Sequence, residues 1–341
     1  MTTDRVNLAM VGLGGWGRFV SHNFANTAHC RMSYICDASA ETLRKQASQY
    51  PEAIPTTSYD MVLRDTAVEA VAIATPAPFH YEMAKNALMA GKHVFVEKPM
   101  TLRADHAEEL VEISESVDRK LMVGHLLEYH PAVQFMKECV DEGALGELYY
   151  MYCQRLNLGV VRQEENAFWS LAPHDISIIL YLFGAEPNHI DASGQSFLQA
   201  QIEDTCFATL HFPDGRMANI HVSWLDPNKT RSMVLVGSEK MLVFDDMQAQ
   251  EKIRIFEKSA YVNAHAEGAG NPVTVRHGDI RIPAISARPP LAIETEHFIE
   301  SIRNNTQPRS DGYDGLRVVR ILEEVDRRFQ KIKPLAFRRA A

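Results

Sequence analysis

Six residues near the amino end, Gly12-Leu13-Gly14-Gly15-Trp16-Gly17, place glycine at their first, third and sixth positions, after the strand-like run VNLAMVG and ahead of a helical pattern from about Trp16. Glycines so spaced allow a tight turn, close approach of a pyrophosphate to backbone and close helix–strand packing, with the phosphates at the positive end of the helix. The next apolar run, MSYICD, ends in Asp37, twenty residues past Gly17. An acid at that distance suits a ribose 2′-hydroxyl. It repels a 2′-phosphate, and Ala38 supplies no guanidinium to compensate. Strand, glycines and acid together predict an NAD site lined by Gly12, Gly14, Gly15, Trp16, Gly17 and Asp37. The competing role for Asp37 is that of a helix N-cap.

Two more clusters fall where the carboxyl ends of parallel strands open on a ligand crevice. Thr75-Pro76 and His80 follow VEAVAIATP, and Glu97-Lys98-Pro99 closes HVFVEKP. Thr75, Pro76, His80, Glu97 and Lys98 are therefore expected at the cofactor, although Pro76 could simply shape a turn and His80 could lie on the surface of the next helix. An ammonium beside a reacting hydroxyl stabilises the developing alkoxide and shares its proton, so Lys98 is expected to be catalytic and to touch substrate. The commoner fate of a lysine is a solvated surface. In FWSLAPHDISIILYLFG, Phe168 to Gly184, His174 and Asp175 follow Pro173 at the head of an apolar helical run. A neutral imidazole is the base best matched to pH 7, which makes His174 a second catalytic candidate. A hydrogen-bonded core histidine is the plainer alternative, and Asp175 fits a first-turn acid favoured by the helix dipole.

The elements that must carry these residues alternate strand and helix from Val6 to His125, the pattern of a doubly wound parallel sheet. Beyond about His130, longer alternating segments joined by turns such as Asp214-Gly215 read as antiparallel strands. The expected class is α/β: a Rossmann domain over 1–125 and a substrate-binding and oligomerisation domain over 126–341 with a large, mostly antiparallel sheet. Ala260 to Pro290 reads as loop, and two amphipathic helices, near Ile293 to Asn304 and Gly315 to Phe329, are expected to pack back near the junction. A half-exposed sheet with an apolar face favours a homo-oligomer, a dimer or tetramer.

Composition narrows the function classes. A chain of 341 residues is more than one core usually organises. With 46% hydrophobic and 23% charged residues it reads as globular throughout. A net charge of −9 gives no support to nucleic-acid binding. No run approaches the roughly 18 apolar residues of a membrane span, and no leader pattern precedes the first strand, so a cytoplasmic location is expected. Cys30, Cys36, Cys139, Cys153 and Cys206 lack paired spacing, which predicts reduced thiols and no metal site.

The glycine motif, Glu97-Lys98-Pro99 and the second-half histidine together resemble the Gfo/Idh/MocA family of oxidoreductases along essentially the whole chain. The resemblance implies that Lys98 and His174 flank the sugar carbon that loses hydride. Many members carry aspartate four residues before the histidine, where this chain has Ser170, so the proton relay is altered. The stretch RLNLGVVRQEENAFWSLAPHDIS, Arg155 to Ser177, is similar to the branch acting on nucleotide sugars. By that similarity Arg155, Asn157, Arg162, His174 and Asp175 lie on the substrate side, an arginine fork suiting a diphosphate. The implied reaction is NAD-dependent oxidation of the C3 hydroxyl of UDP-N-acetylglucosamine, feeding an aminotransferase on the way to lipid A. A dehydrogenase of the 6-carboxylate sugar or of a free polyol, and a non-catalytic NAD- or sugar-sensing regulator, stay open as alternatives.

Overall fold

The computed structural model describes residues 5–262 and 273–329. The chain divides into two compact units, residues 1–130 with 288–321 and residues 131–287 with 322–341. Compared with a linear boundary at 125/126, the junction moves to 130/131, and the chain returns to the first unit at Arg288.

The first unit opens with β1 (Val6–Val11), α1 (Gly17–Asn26), β2 (Cys30–Cys36), α2 (Ala40–Gln46), β3 (Ile54–Thr56) and α3 (Tyr59–Arg64). It continues with β4 (Ala70–Ile73), α4 (His80–Met89), β5 (His93–Glu97), α5 (Ala104–Ser116) and β6 (Leu121–Gly124). The strands form one parallel sheet in the order β3-β2-β1-β4-β5-β6. Every residue of β4 and β6 is buried, as strands covered by helices on both faces must be. Order reverses between β1 and β4, the switch point at which such sheets open a crevice beyond their carboxyl ends. Register carries the site along that edge, with Val11 opposite Ile73 and Glu97 opposite Gly124. Local chemistry sets the helix ends: Ser39 and Ser58 cap α2 and α3 through their hydroxyls, and Gly91, at φ +73°, turns the chain out of α4.

The second unit runs α6 (Pro131–Asp141), β7 (Leu148–Leu156), α7 (Ala167–Leu171), α8 (Pro173–Phe183), β8 (His189–Gln195), β9 (Thr205–His211) and β10 (Met217–Ser223). Then follow β11 (Thr230–Gly237), β12 (Met241–Asp245), β13 (Ile253–Phe256), β14 (Ser259–Val262), β15 (Val273–Arg276) and β16 (Ile280–Arg281). Eight strands pair in the order β16-β13-β12-β11-β7-β10-β9-β8, antiparallel everywhere except β7 beside β10. Inward residues such as Cys206, Ala208 and Leu210 of β9 are buried, while Tyr150, Phe207 and Met217 of the opposite face are exposed. Pro173 in the first turn of α8 and Gly184 at φ +62° bracket that helix.

The stretch expected as loop, Ala260 to Pro290, is corrected in part: β14 and β15 pair, and β16 adds to the edge of the large sheet. These strands are at most four residues long, too short to show a period among polar neighbours. Residues 263–272 of that stretch lie outside the described residues. The closing helices are α9 (Pro290–Arg303) and α10 (Gly312–Phe329), and α10 begins in the first unit and ends in the second. In the first unit α9 inserts Phe298 edge-on against Phe24 and Phe95. All five cysteines are buried and free. Among the described residues no helix is long and apolar enough to cross a membrane.

Candidate cofactor and active site

The glycine loop is built by exclusion of side chains. A Cβ on Gly12, itself at φ +87°, would lie 2.8 Å from the backbone of Ala74 and Thr75, and one on Gly17 would lie 2.0 Å from the Gly12 carbonyl oxygen. Both positions therefore demand glycine. Gly14 and Gly15 face open space with nothing within 4 Å, so a pyrophosphate can lie directly on their backbone at the start of α1. Asp37, half-buried at the end of β2, accepts the Leu13 N–H at 2.8 Å and the Ser39 N–H at 2.9 Å. It thereby ties the loop to the strand, while Ser39 caps α2 by accepting the Thr42 N–H. These residues fit NAD, which they would hold at the phosphates and the adenosine ribose.

Along the sheet edge, the polar groups expected to meet the cofactor bond to protein. Trp16 keeps 44% exposure, yet its indole N–H donates to Glu97 Oε1 at 2.6 Å. Glu97 is 8% exposed, and its other oxygen accepts the Lys98 backbone N–H at 3.3 Å. Burial pushes the Glu97 carboxyl up to about 7, against the opposing pull of the Trp16 hydrogen bond and the Lys98 charge. His80 is neither a surface residue of α4 nor open to a ligand. At 1% exposure its Nδ1 lies 2.8 Å from the Pro99 carbonyl oxygen and its Nε2 2.7 Å from that of Thr75, lacing the loop after β4 to the loop after β5. A neutral imidazole donates only one such bond, and burial holds this one below its ordinary pKa. Thr75 and Lys98 are half-buried and Pro76 is exposed. The Lys98-Pro99 peptide is cis.

In the second unit, α8 carries His174, half-buried, and Asp175, 1% exposed, in its first turn. Arg155 of β7 donates from Nε to Asp175 Oδ2 at 3.1 Å and from Nη2 to Oδ1 at 2.9 Å. The fork expected to grip a diphosphate is thus spent, on that edge, on a buried carboxylate. Asp175, expected at the substrate, is enclosed and anchors β7 to α8 through Arg155. A bidentate guanidinium–carboxylate pair fixes orientation as well as charge, so the first turn of α8, which bears His174, is tied to β7. Asn157 is exposed just past β7, and Arg162 is exposed and paired with Glu165 at 3.2 Å. Ser170 is buried in α7. Lys98 and His174 belong to different units.

Several buried ionisable groups went unread in the sequence. Glu294 of α9 has no exposure and no hydrogen bond to either carboxyl oxygen among the described residues. Burial first, then the Glu97 charge, pushes it well above the ordinary carboxyl range. Its position in the buried stripe Leu291, Glu294, Thr295, Phe298 was the available signal. His125, fully buried just past β6, is held down to about 4 by desolvation, with Lys98 and Arg317 adding to and Asp314 opposing the effect.

Residues 6–125 match the family model described as oxidoreductase family, NAD-binding Rossmann fold, and residues 133–243 match the GFO/IDH/MocA C-terminal domain. A UDP-N-acetylglucosamine 3-dehydrogenase from Acidithiobacillus ferrooxidans is 27% identical over 312 residues, 91% of this chain and 93% of that protein. Its solved structure superposes with a TM-score of 0.80 at 25% identity, covering 96% of this chain and 98% of that one. An inositol 2-dehydrogenase from Rhizobium meliloti is 22% identical over 93% of this chain and 95% of its own length. With a glycine loop that admits no side chains at two positions, an acid at the end of β2 and both domain matches in sequence order, the chain belongs to the Gfo/Idh/MocA family of NAD-binding oxidoreductases.

Proposed function

We propose that the chain oxidises the C3 hydroxyl of a UDP-sugar, UDP-N-acetylglucosamine, to a ketone, with NAD as the hydride acceptor and an aminotransferase consuming the product. The observation that carries this reading is the likeness to a UDP-N-acetylglucosamine 3-dehydrogenase along nine-tenths of both chains. NAD, held by Gly12 to Gly17 and Asp37, supplies the site that takes the hydride. His174 accepts the hydroxyl proton, and the Lys98 ammonium offsets the charge growing on oxygen. Arg155 acts through Asp175 by fixing the His174 turn, which leaves the exposed Asn157 and Arg162 as polar contacts for the nucleotide. The outward sheet face bearing Tyr150, Phe207 and Met217 is the surface for self-association into a dimer or tetramer.

A second reading, oxidation of a free polyol, is favoured by one feature: the arginine best suited to a diphosphate is already bonded to Asp175. The two are separated by following NAD reduction with UDP-N-acetylglucosamine, its 6-carboxylate relative and free inositols, with an aminotransferase present to withdraw ketone. Turnover with the nucleotide sugar alone supports the first reading; turnover confined to polyols replaces it.

A further inference from the structure

Glu97 has no role in the reaction proposed above, yet its carboxyl is held by the Trp16 indole, the Lys98 backbone N–H and the bare Gly124. Its carboxyl lies over the bare Cα of Gly124, where a Cβ would come within 3.0 Å of Cδ. Because the indole bonded to it belongs to the glycine loop, that bond joins the phosphate-binding turn to the strand end carrying Lys98. A second carboxyl, Glu294 of α9, is wholly enclosed with both oxygens unbonded among the described residues, and burial first, then the Glu97 charge, favours its protonated form. The groups facing Glu97 are Lys98 from its own strand end, the neutral indole of Trp16 from the start of α1 and the bare Gly124 of β6, and the Glu97 charge acts on Glu294 of α9.

We propose that the enclosed Glu97 carboxyl is a one-proton store and a positioning residue, coupling the charge state of the dinucleotide to the charge beside Lys98. An enclosed acid beside a cation holds its proton more or less tightly with each charge that arrives near it. Glu294 keeps its proton, and Glu97 exchanges one with solvent over its narrow exposed edge. The oxidised nicotinamide carries a positive charge that the reduced ring lacks, so Glu97 holds its proton more tightly with NADH bound than with NAD bound. Oxidation of CH–OH by NAD yields ketone, NADH and one proton. His174 takes the reaction's proton and passes it to solvent; as the nicotinamide loses its charge, Glu97 takes up a proton from solvent beside Lys98 and returns it when NADH leaves. This rests on the NAD site and is independent of which sugar is oxidised.

The test needs no sugar. Dissociation constants of NAD and NADH are measured by calorimetry on the whole protein between about pH 5.5 and 8.5, with thermal melting as a check on folding. The expected result is that NADH is favoured at low pH, the ratio of the NAD to the NADH constant falling about tenfold through neutrality for each unit by which the two complexes differ in proton affinity. Glu97→Gln preserves an acceptor for the Trp16 indole and is expected to flatten the ratio while both ligands still bind; Glu294→Gln is expected to retain the slope. Trp16→Phe removes a bond that favours the ionised acid, so the midpoint should move to higher pH. A flat ratio in the unmodified protein, an unchanged slope in Glu97→Gln or an unmoved midpoint in Trp16→Phe overturns the proposal.

Discussion

The glycine loop and the segment from Arg155 to Ser177 make opposite uses of their residues. In the loop, function follows from what is missing: Gly12 and Gly17 sit where any Cβ would strike backbone, and Gly14 and Gly15 leave room for a ligand. In the segment, Arg155 and Asp175 first satisfy one another, while Asn157 and Arg162 are left exposed. Backbone sterics constrain residue type position by position, whereas a charged side chain finds its partner through the tertiary fold. A motif of the first kind can be read from spacing; one of the second kind cannot.

Breaking the buried pair is the severest test of this contrast. Arg155→Met leaves Asp175 charged and enclosed, and such a loss costs about 3–5 kcal/mol of stability. Thermal or urea unfolding should show it, and adding Asp175→Leu should restore most of it. If Arg155→Met is as stable as the parent but binds UDP-sugar poorly, the arginine serves substrate after all. Next in size are the reacting groups. His174→Ala and Lys98→Met should each lower turnover about 10²-fold or more, with NAD affinity and melting temperature nearly unchanged. Turnover near the parent level in both would transfer the proton-accepting role to another group.

Acid separates the two units more gently. His93, His125 and His297, all in the first unit, are held down to about 4 by burial, against an ordinary 6.5. A histidine with a depressed folded pKa binds more protons when unfolded, so stability is fully present above about pH 6.5 and drains as pH falls toward 4. Each such proton contributes a slope of about 1.4 kcal/mol per pH unit. Hydrogen exchange at pH 5 should open β5 and β6 before the large sheet, and His125→Gln should lessen the slope. Exchange that accelerates equally in both units would remove this distinction. The smallest effect concerns cofactor choice: Asp37→Ser with Ala38→Arg should move preference toward NADP by roughly tenfold, the scale of one charge-assisted hydrogen bond. Equal affinity for NAD and NADP in the unmodified chain would undo the assignment of Asp37.

Sequence alone made the parallel sheet legible because β4, β6 and the centre of β5 are short apolar runs separated by helical periods. It marked Gly12 to Gly17 and Asp37 for the same reason that the loop is sterically strict. It misplaced His80, since residue type and edge position say nothing of two carbonyl oxygens closing on the ring from separate loops. It passed over Glu294, an acid inside an apolar helical stripe, and the short β14 and β15, whose pairing depends on a partner strand rather than on any period.

The bond between Arg155 and Asp175 also limits how this site can change over generations. Either residue altered alone strands the other's charge in the interior, so the two must change together or not at all. Asn157 and Arg162, exposed and held by at most one ion pair, can drift one step at a time. New substrate preferences should therefore arise first at 157 and 162, while 155 and 175 pass unchanged through lineages or switch as a pair.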